Sequence, residues 1–268
     1  MASERRARGT WPTSYADVNA VLEMLLAGVR VVLGEQFVGL YVHGSLASGG
    51  FDPQRSDIDF VVVTTGDLNG ETLTALAAMH ARIAASGLDW ARRLEGGYIP
   101  QDGLQRYDPA RACYPWLGMD GHFAVEQFDH GWVIQLHVLR EHGLVVAGPH
   151  PRTLIDPISC DDLRQAQQAL LHEWWRPQLD DHTRLRSREY QAYAVLTMCR
   201  ALYTLEHGTV VTKAEAAHWA QQTLPERWAA LIGRALAWPR GQQPDALPET
   251  LELIRYTLER ARASADGR

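Results

Sequence analysis

In the first part of the chain, segments with apolar residues at helical spacing alternate with short apolar runs that are typical of strands. Apolar positions at helical spacing predict helices from Tyr15 to about Gly34 and from Glu71 to Ser86. Short runs rich in β-branched and aromatic residues predict strands at Phe37–His43 and Phe60–Val63. Strands that alternate with helices predict a sheet against which those helices pack.

The pattern is less regular in the next part of the chain. Leu88–Pro100 and His122–Asp129 are predicted strands, and Gly131–Gly143 is a predicted helix. The stretch 101–121 is rich in glycine, proline and aspartate, so we expect it to be irregular. Proline-containing breaks follow, and they predict a domain boundary near residue 157.

The remaining sequence changes character, because strand-like runs give way to helical spacing alone. Five helices are predicted, at Leu163–Trp174, Arg186–His207, Lys213–Thr223, Pro225–Trp238 and Pro248–Ala263. The whole pattern therefore predicts an α+β chain. A flexible N-terminus (1–13) precedes a domain of mixed sheet and helices (14–157), and an all-α helical bundle (158–265) follows.

Composition and charge narrow the possible classes of function. The 268 residues carry a net charge of −6, which argues against a nucleic-acid partner, since such partners favour basic surfaces. An acidic protein suits a small cationic ligand. Three cysteines without a Cys-x-x-Cys spacing indicate neither a zinc site nor a disulfide framework. Apolar runs are too short for a membrane span, and the basic N-terminus lacks a signal-peptide pattern, so we expect a cytoplasmic protein. We also expect a monomer.

The segment Leu40–Thr65 contains the clearest candidate for chemistry. Gly44-Ser45 ends one apolar run, and a residue without a Cβ lets the backbone approach a phosphate group closely. Asp57 and Asp59 open the next run, in the sequence Ser-Asp-Ile-Asp. Because side chains alternate along a strand, both carboxylates point to the same face. Two carboxylates on one rigid edge suit Mg²⁺, which binds one or two of them together with substrate phosphates.

Glu95, in the predicted strand Leu88–Pro100, is a candidate general base. Transfer of a nucleotidyl group to a hydroxyl needs a group that accepts the hydroxyl proton while the metal-bound α-phosphate is attacked. On spacing alone, the alternative interpretation is an acid on the surface of a strand.

The motifs together resemble a known family. Gly44-Ser45 followed by Ser56-Asp57-Ile58-Asp59 resembles the signature of the nucleotidyltransferase superfamily of DNA polymerase β type. With Leu94-Glu95 and the segment Val195–Trp219, the chain resembles the bacterial aminoglycoside adenylyltransferases of the streptomycin/spectinomycin class. The resemblance implies a nucleotidyltransferase domain, a helical bundle, and substrates bound between them. It also implies an enzyme that moves AMP from ATP to a drug hydroxyl and releases pyrophosphate.

Roles for single residues follow from the same resemblance. Asp57 and Asp59 would hold Mg²⁺, and Glu95 would be the catalytic base. The residues that would contact the nucleotide phosphates from the first domain are Gly44, Ser45 and Ser56. Arg200 and Lys213 match basic bundle residues that reach the ATP phosphates. Taken alone, the arginine could belong to a structural ion pair and the lysine could be a solvated residue in a first helical turn.

Binding of the acceptor is implied less directly. In the resembling class, a bundle helix presents an acid and a histidine to the aminoglycoside. Here Glu189 is available to an ammonium group, in a shifted position, and Tyr193 stands near the place of the histidine. Trp116 and Trp132 are candidates for stacking on a drug ring, with packing in the core as the alternative.

Two other functions stay open on the sequence. One is an adenylyltransferase that acts on another small-molecule or protein hydroxyl, which the shifted acid motivates. The other is a nucleotidyltransferase module of a toxin–antitoxin pair, since Arg200 and His207 loosely resemble the Arg-x₆-His spacing of helical ribonucleases.

Overall fold

A computed structural model describes residues 12–54, 56–238 and 245–266. The predicted flexible N-terminus, 1–13, therefore lies almost entirely outside the described residues. The chain forms two compact units, which we call the sheet unit and the helical unit. The sheet unit takes in the described residues up to Phe128 together with Gln135–Pro157, and the helical unit takes in Asp129–Ile134 and the described residues from Ile158 onward.

The sheet unit is built on six strands. They are β1 (Phe37–Val42), β2 (Ile58–Thr64), β3 (Leu94–Pro100), β4 (Cys113–Leu117), β5 (Phe123–Gln127) and β6 (Leu144–Ala147). Their order in the sheet is β5-β4-β3-β2-β1-β6. Strands β2 and β3 are parallel, whereas the other neighbours pair antiparallel. The predicted mixed sheet is thus confirmed.

Among the helices of the sheet unit, two cover one face of the sheet with apolar residues that recur on one side. The helices are α1 (Ala16–Leu33), α2 (Gly44–Ser48), α3 (Gly70–Ala84), α4 (Gln101–Gln105) and α5 (Gly131–His142), the last of which contributes to this unit from residue 135. Leu25 of α1 and Leu76 of α3 are fully buried in one core cluster with Ile58 and Phe60 of β2. This cluster identifies the face of the sheet that α1 and α3 cover.

Several predicted elements of the sheet unit were wrong in extent. Strand β3 begins at Leu94 rather than Leu88, because Ala91–Arg93 form a 3₁₀ turn that the Arg93 guanidinium anchors on the Pro53 carbonyl, 2.9 Å away. The stretch 101–121 was expected to be irregular, yet it contains α4 and β4. Strand β4 carries a proline and is stabilised by its antiparallel partners on both sides. Strand β6 was not predicted at all.

The helical unit contains the five predicted helices. They are α6 (Cys160–Leu170), α7 (Arg188–His207), α8 (Lys213–Thr223), α9 (Ala229–Ala237) and α10 (Leu247–Asp266). One π-helical turn, Leu171–Trp175, continues α6. Buried side chains of four helices, such as Met198, Ala217, Ile232 and Ile254, form one core cluster. Within the described ranges, none of the helices has the length and apolar character needed to cross a membrane.

Candidate active site

Two neighbouring strands bring three carboxylates together. In the parallel pairing of β2 and β3, Asp59 lies directly opposite Glu95. Asp57 precedes Asp59 by two residues and stands immediately before the start of β2. One carboxylate oxygen from each of the three residues lies within 4.8 Å of the other two. Asp57, Asp59 and Glu95, the acidic triad, therefore form one cluster.

The triad lies on the sheet face that α1 and α3 leave open. Ile58 is fully buried in the core cluster with those helices. Asp59, the next residue, points to the other face because side chains alternate across a strand. The register of the sheet therefore separates the triad from the apolar core.

Gly44 fits against the triad in a way that only glycine allows. Its φ angle is +60°, in the left-handed region, and a Cβ at this position would overlap the Asp59 carboxylate. The adjacent backbone N–H of His43 donates to the Asp59 carbonyl oxygen at 3.0 Å. The backbone at His43 and Gly44 therefore lies in close contact with Asp59 of β2.

The two serines of the motif have different surroundings. Among the described residues, the buried Ser45 hydroxyl has no hydrogen-bond partner. The Ser56 hydroxyl accepts the Asp52 N–H at 3.0 Å, and the Ser56 N–H donates to the Asp52 carbonyl oxygen at 2.8 Å. Ser56 thus holds the turn that leads into Asp57.

The electrostatics of the triad fit a divalent cation. Burial, followed by the negative charges of Asp59 and Asp57, raises the pKa of Glu95 to about 8. Ionising all three carboxylates at this separation costs free energy unless a positive charge lies nearby. Carboxylate oxygens on a rigid edge are ligands that hard divalent cations prefer, and a bound cation reverses the pKa shift. The residues present therefore fit a divalent metal.

Trp116 of β4 contacts the triad directly. Its indole N–H donates a hydrogen bond to Glu95, which lowers the pKa of that carboxyl against the larger effects that raise it. The indole ring is half-buried and packs edge-on against Phe128, with ring centroids 5.3 Å apart. Trp132, the other candidate for stacking, belongs to the helical unit and is only 5% exposed.

His43 is a neighbour of the triad that the sequence did not reveal. It is 2% exposed, and burial lowers its pKa to about 4 although the nearby Asp57 carboxylate acts in the opposite direction. The available signal was its place directly before Gly44, at the end of a buried strand. The spacing of acidic residues gives no indication of it.

The helical unit carries the remaining candidates, four residues on α7 and α8. The Lys213 ammonium lies over the Tyr193 ring, 4.1 Å from its centroid. Arg200 follows Tyr193 by seven residues on α7, which is close to two turns, so both side chains leave the same face of that helix. Glu189, in the first turn of α7, is exposed. Tyr193 and Lys213 thus form a second cluster, separate from the acidic triad in the chain.

Comparisons with known proteins agree with both units. A family model described as a nucleotidyltransferase domain matches residues 32–87. A second model, described as the C-terminal domain of aminoglycoside adenylyltransferase, matches residues 153–264. The first span includes Gly44 and both aspartates, and the second includes Arg200 and Lys213.

Relatives similar to the chain cover most of its length. An aminoglycoside (3'') (9) adenylyltransferase from Escherichia coli is 28% identical over 87% of this chain and 89% of its own length. A spectinomycin 9-adenylyltransferase from Campylobacter jejuni is 26% identical over 92% of this chain and 93% of its own. A crystal structure of a spectinomycin adenyltransferase from Enterococcus faecialis, with ATP and spectinomycin, has a TM-score of 0.73 at 19% identity and covers 91% of this chain and 98% of that one. The likeness to the crystal structure shows a shared fold.

Proposed function

We propose that this chain, which is similar over most of its length to aminoglycoside adenylyltransferases, transfers AMP from ATP to a hydroxyl group of an aminoglycoside or aminocyclitol antibiotic of the streptomycin or spectinomycin type. Pyrophosphate is the second product. The observation that carries the proposal is the acidic triad, in which Asp59 pairs with Glu95 and all three carboxylates lie within 4.8 Å. Relatives named for this activity match the chain over most of its length.

Asp57 and Asp59 would hold Mg²⁺ in this reaction. When bound, Mg²⁺ would supply charge neutralisation for the phosphates of ATP. Gly44 would let the backbone approach the nucleotide, and the unpartnered Ser45 hydroxyl would contact a phosphate oxygen. Ser56 would act in the same place, in addition to bracing its turn.

Glu95 would accept the proton of the attacking hydroxyl. A bond forms between the hydroxyl oxygen of the acceptor and the α-phosphorus, while the bond from that phosphorus to the oxygen bridging to the β-phosphate breaks. The electron pair leaves with pyrophosphate, and the hydroxyl proton moves to the Glu95 carboxylate. The position of Glu95, opposite Asp59 on the neighbouring strand, supports this role.

Residues of the helical unit would complete substrate binding. Arg200 and Lys213 would give positive charge to the triphosphate, in line with the family match over this segment. Contacts to the acceptor are proposed for Trp116, Trp132, Glu189 and Tyr193. The acidic net charge of the chain supports a cationic acceptor rather than a nucleic acid, and we propose a cytoplasmic monomer.

A different hydroxyl acceptor is the second candidate. Tyr193 stands near the position where the resembling class has a drug-binding histidine, and here its ring contacts Lys213. The toxin–antitoxin alternative has less support, because the His207 ring packs against Tyr203 and Trp219 within the helical unit.

The acceptor can be identified with ATP labelled at the α-phosphate. The protein is incubated with Mg²⁺, labelled ATP and, in separate arms, streptomycin, spectinomycin or a bacterial cell extract. We expect label on one or both drugs and none when Mg²⁺ is replaced by a chelator. Label on a protein or metabolite of the extract, with both drugs unmodified, would favour the second candidate.

A further inference from the structure

The contact between Lys213 and Tyr193 connects two helices of the helical unit. Lys213 is the first residue of α8, and Tyr193 lies in the first half of α7. The ammonium group lies 4.1 Å from the ring centroid, well inside the range of a cation–π interaction. We propose that Tyr193 is a positioning residue, which holds the Lys213 ammonium in place for the phosphates of ATP. This inference rests on the proposed function.

Neighbouring aromatic side chains hold the Tyr193 ring itself. Its centroid is 5.4 Å from that of Tyr190, one helical turn earlier, and 6.1 Å from that of Trp175 at an interplanar angle of 28°. Trp175 is 1% exposed and belongs to the core of the helical unit, whereas Tyr193 is 41% exposed. The column of Trp175, Tyr190 and Tyr193 therefore runs from the core to the surface, where it presents a fixed ring to Lys213.

The start of α8 explains why the lysine needs such a partner. Thr212 and Glu215 form a capping box, with the Thr212 N–H 2.9 Å from the glutamate, so the backbone at Lys213 is fixed. The N-terminus of a helix carries partial positive charge, which disfavours an ammonium group there. The negative face of an aromatic ring offsets this disadvantage.

Positioning matters because a lysine side chain is flexible. Ordering it on binding costs rotamer entropy, and a side chain that is already held loses less when its ligand arrives. The same α7 face carries Arg200, about 10 Å along the helix axis from Tyr193. Tyr193 thus keeps the ammonium on the helix face that also carries the arginine proposed to contact ATP.

Binding of Mg·ATP, measured by calorimetry without an acceptor, tests the inference. Tyr193→Leu removes the π face but keeps an apolar side chain, so we expect the dissociation constant of Mg·ATP to rise about two- to fivefold. Tyr193→Phe keeps the π face and should bind Mg·ATP as the wild type does. Tyr203→Leu is a matched control, because Tyr203 is an aromatic residue of α7 that packs on His207 and Trp219.

Lys213→Ala separates this inference from the proposed function. The variant should weaken Mg·ATP binding, and Tyr193→Leu should add little to it in the double variant, since both changes remove one interaction. Wild-type binding by Tyr193→Leu, or additive effects in the double variant, would overturn the positioning role and leave the proposed function intact. Unchanged binding by Lys213→Ala would overturn the nucleotide role of the lysine together with the positioning role. A higher KM for the drug in Tyr193→Leu, with unchanged binding of Mg·ATP, would leave Tyr193 only its proposed contact with the acceptor and overturn the positioning role.

Discussion

Asp59 and Glu95 are direct partners in the parallel pairing of β2 and β3, so the sheet itself sets the spacing between a candidate metal ligand and a candidate base. Hydrogen bonds between strands fix this spacing more tightly than loops would. Asp57, immediately before β2, joins the pair with a carboxylate oxygen within 4.8 Å of both partners. The chemistry proposed for the chain therefore depends on strand register, which makes the predictions below specific to named positions.

Gly44→Ala should inactivate the protein. A Cβ at residue 44 would overlap the Asp59 carboxylate, and the φ of +60° would be strained as well. Displacing a catalytic group by about 1 Å can reduce turnover about 100-fold, which is the effect we expect on AMP transfer.

Gly49→Ala is the matched control for that substitution. Gly49 also has a positive φ, of 80°, but a Cβ there would meet no atom of the described residues within 4 Å. Both variants carry the backbone penalty, on the order of 1–2 kcal/mol, whereas only Gly44→Ala disturbs Asp59. Equal loss of turnover in the two variants would contradict the close packing inferred at Gly44.

Glu95→Gln should stabilise the metal-free protein, and more so at alkaline pH. The pKa of Glu95 is raised from 4.5 to about 8 on folding, so between these values the folded state holds a proton that the unfolded state lacks. The free energy of unfolding of the wild type therefore falls as pH rises through this window. Glutamine does not titrate, so its advantage should grow to the order of 4 kcal/mol near pH 8.

Chemical denaturation with a chelator present, and again with saturating Mg²⁺, measures this effect. A bound cation offsets the repulsion among the carboxylates, so Mg²⁺ should reduce or reverse the advantage of glutamine. An advantage that depends on neither pH nor Mg²⁺ would mean that Glu95 is not coupled to the aspartates.

Trp116→Phe should change the pH dependence of turnover. The indole N–H lowers the pKa of Glu95, and phenylalanine keeps an aromatic ring without that donor. The acidic limb of the kcat/KM profile should therefore shift to higher pH, while the KM for the drug stays close to the wild-type value. If instead KM for the drug rises and the pH profile is unchanged, Trp116 acts by contact with the acceptor.

His80 should make the sheet unit less stable in mild acid. It is buried among Phe60, Tyr98 and Phe123, and burial lowers its pKa from 6.5 to about 4. Below about pH 6.5 the unfolded chain binds a proton that folded His80 does not, so the free energy of unfolding falls as pH decreases towards 4.

His80→Phe should remove part of this pH dependence. The slope of the unfolding free energy against pH should become shallower by up to one proton, about 1.4 kcal/mol per pH unit. Absolute stability can also change, because the Tyr98 hydroxyl loses its 2.7 Å hydrogen bond to the histidine. Only the slope, measured by denaturation across this pH range, tests the prediction, and an unchanged slope would refute it.

Local patterns predicted the pair of aspartates, because Asp57 and Asp59 lie two residues apart, whereas the role of Glu95, on another strand, was implied by the family resemblance. The Asp-x-Asp spacing predicted that Asp57 and Asp59 lie together, and Gly44-Ser45 marked the end of the first strand. The position of Glu95 opposite Asp59 depends on the parallel pairing of β2 and β3, which the sequence did not predict. The structure brings the three carboxylates together, while the candidate site and the roles of its residues stay predictions.

The elements that the sequence did not predict depend on contacts between distant segments. Strand β6 has four residues directly after a helix, too few to show a period, and it forms by pairing with β1. Strand β4 contains Pro115, which weakens its local signal, and pairing with β3 and β5 supplies the missing stability. The Lys213 ammonium reaches Tyr193 from another helix, so no window of sequence contains that interaction.

Mass spectrometry of the drug gives the most direct test of the proposed function. Streptomycin and spectinomycin are incubated with ATP, Mg²⁺ and either wild-type protein or Glu95→Gln. We predict that the wild type adds one AMP to at least one drug and that Glu95→Gln forms this product about 10²–10⁴-fold more slowly while still binding ATP. Unmodified drugs with the wild type, or near wild-type transfer by Glu95→Gln, would contradict the account.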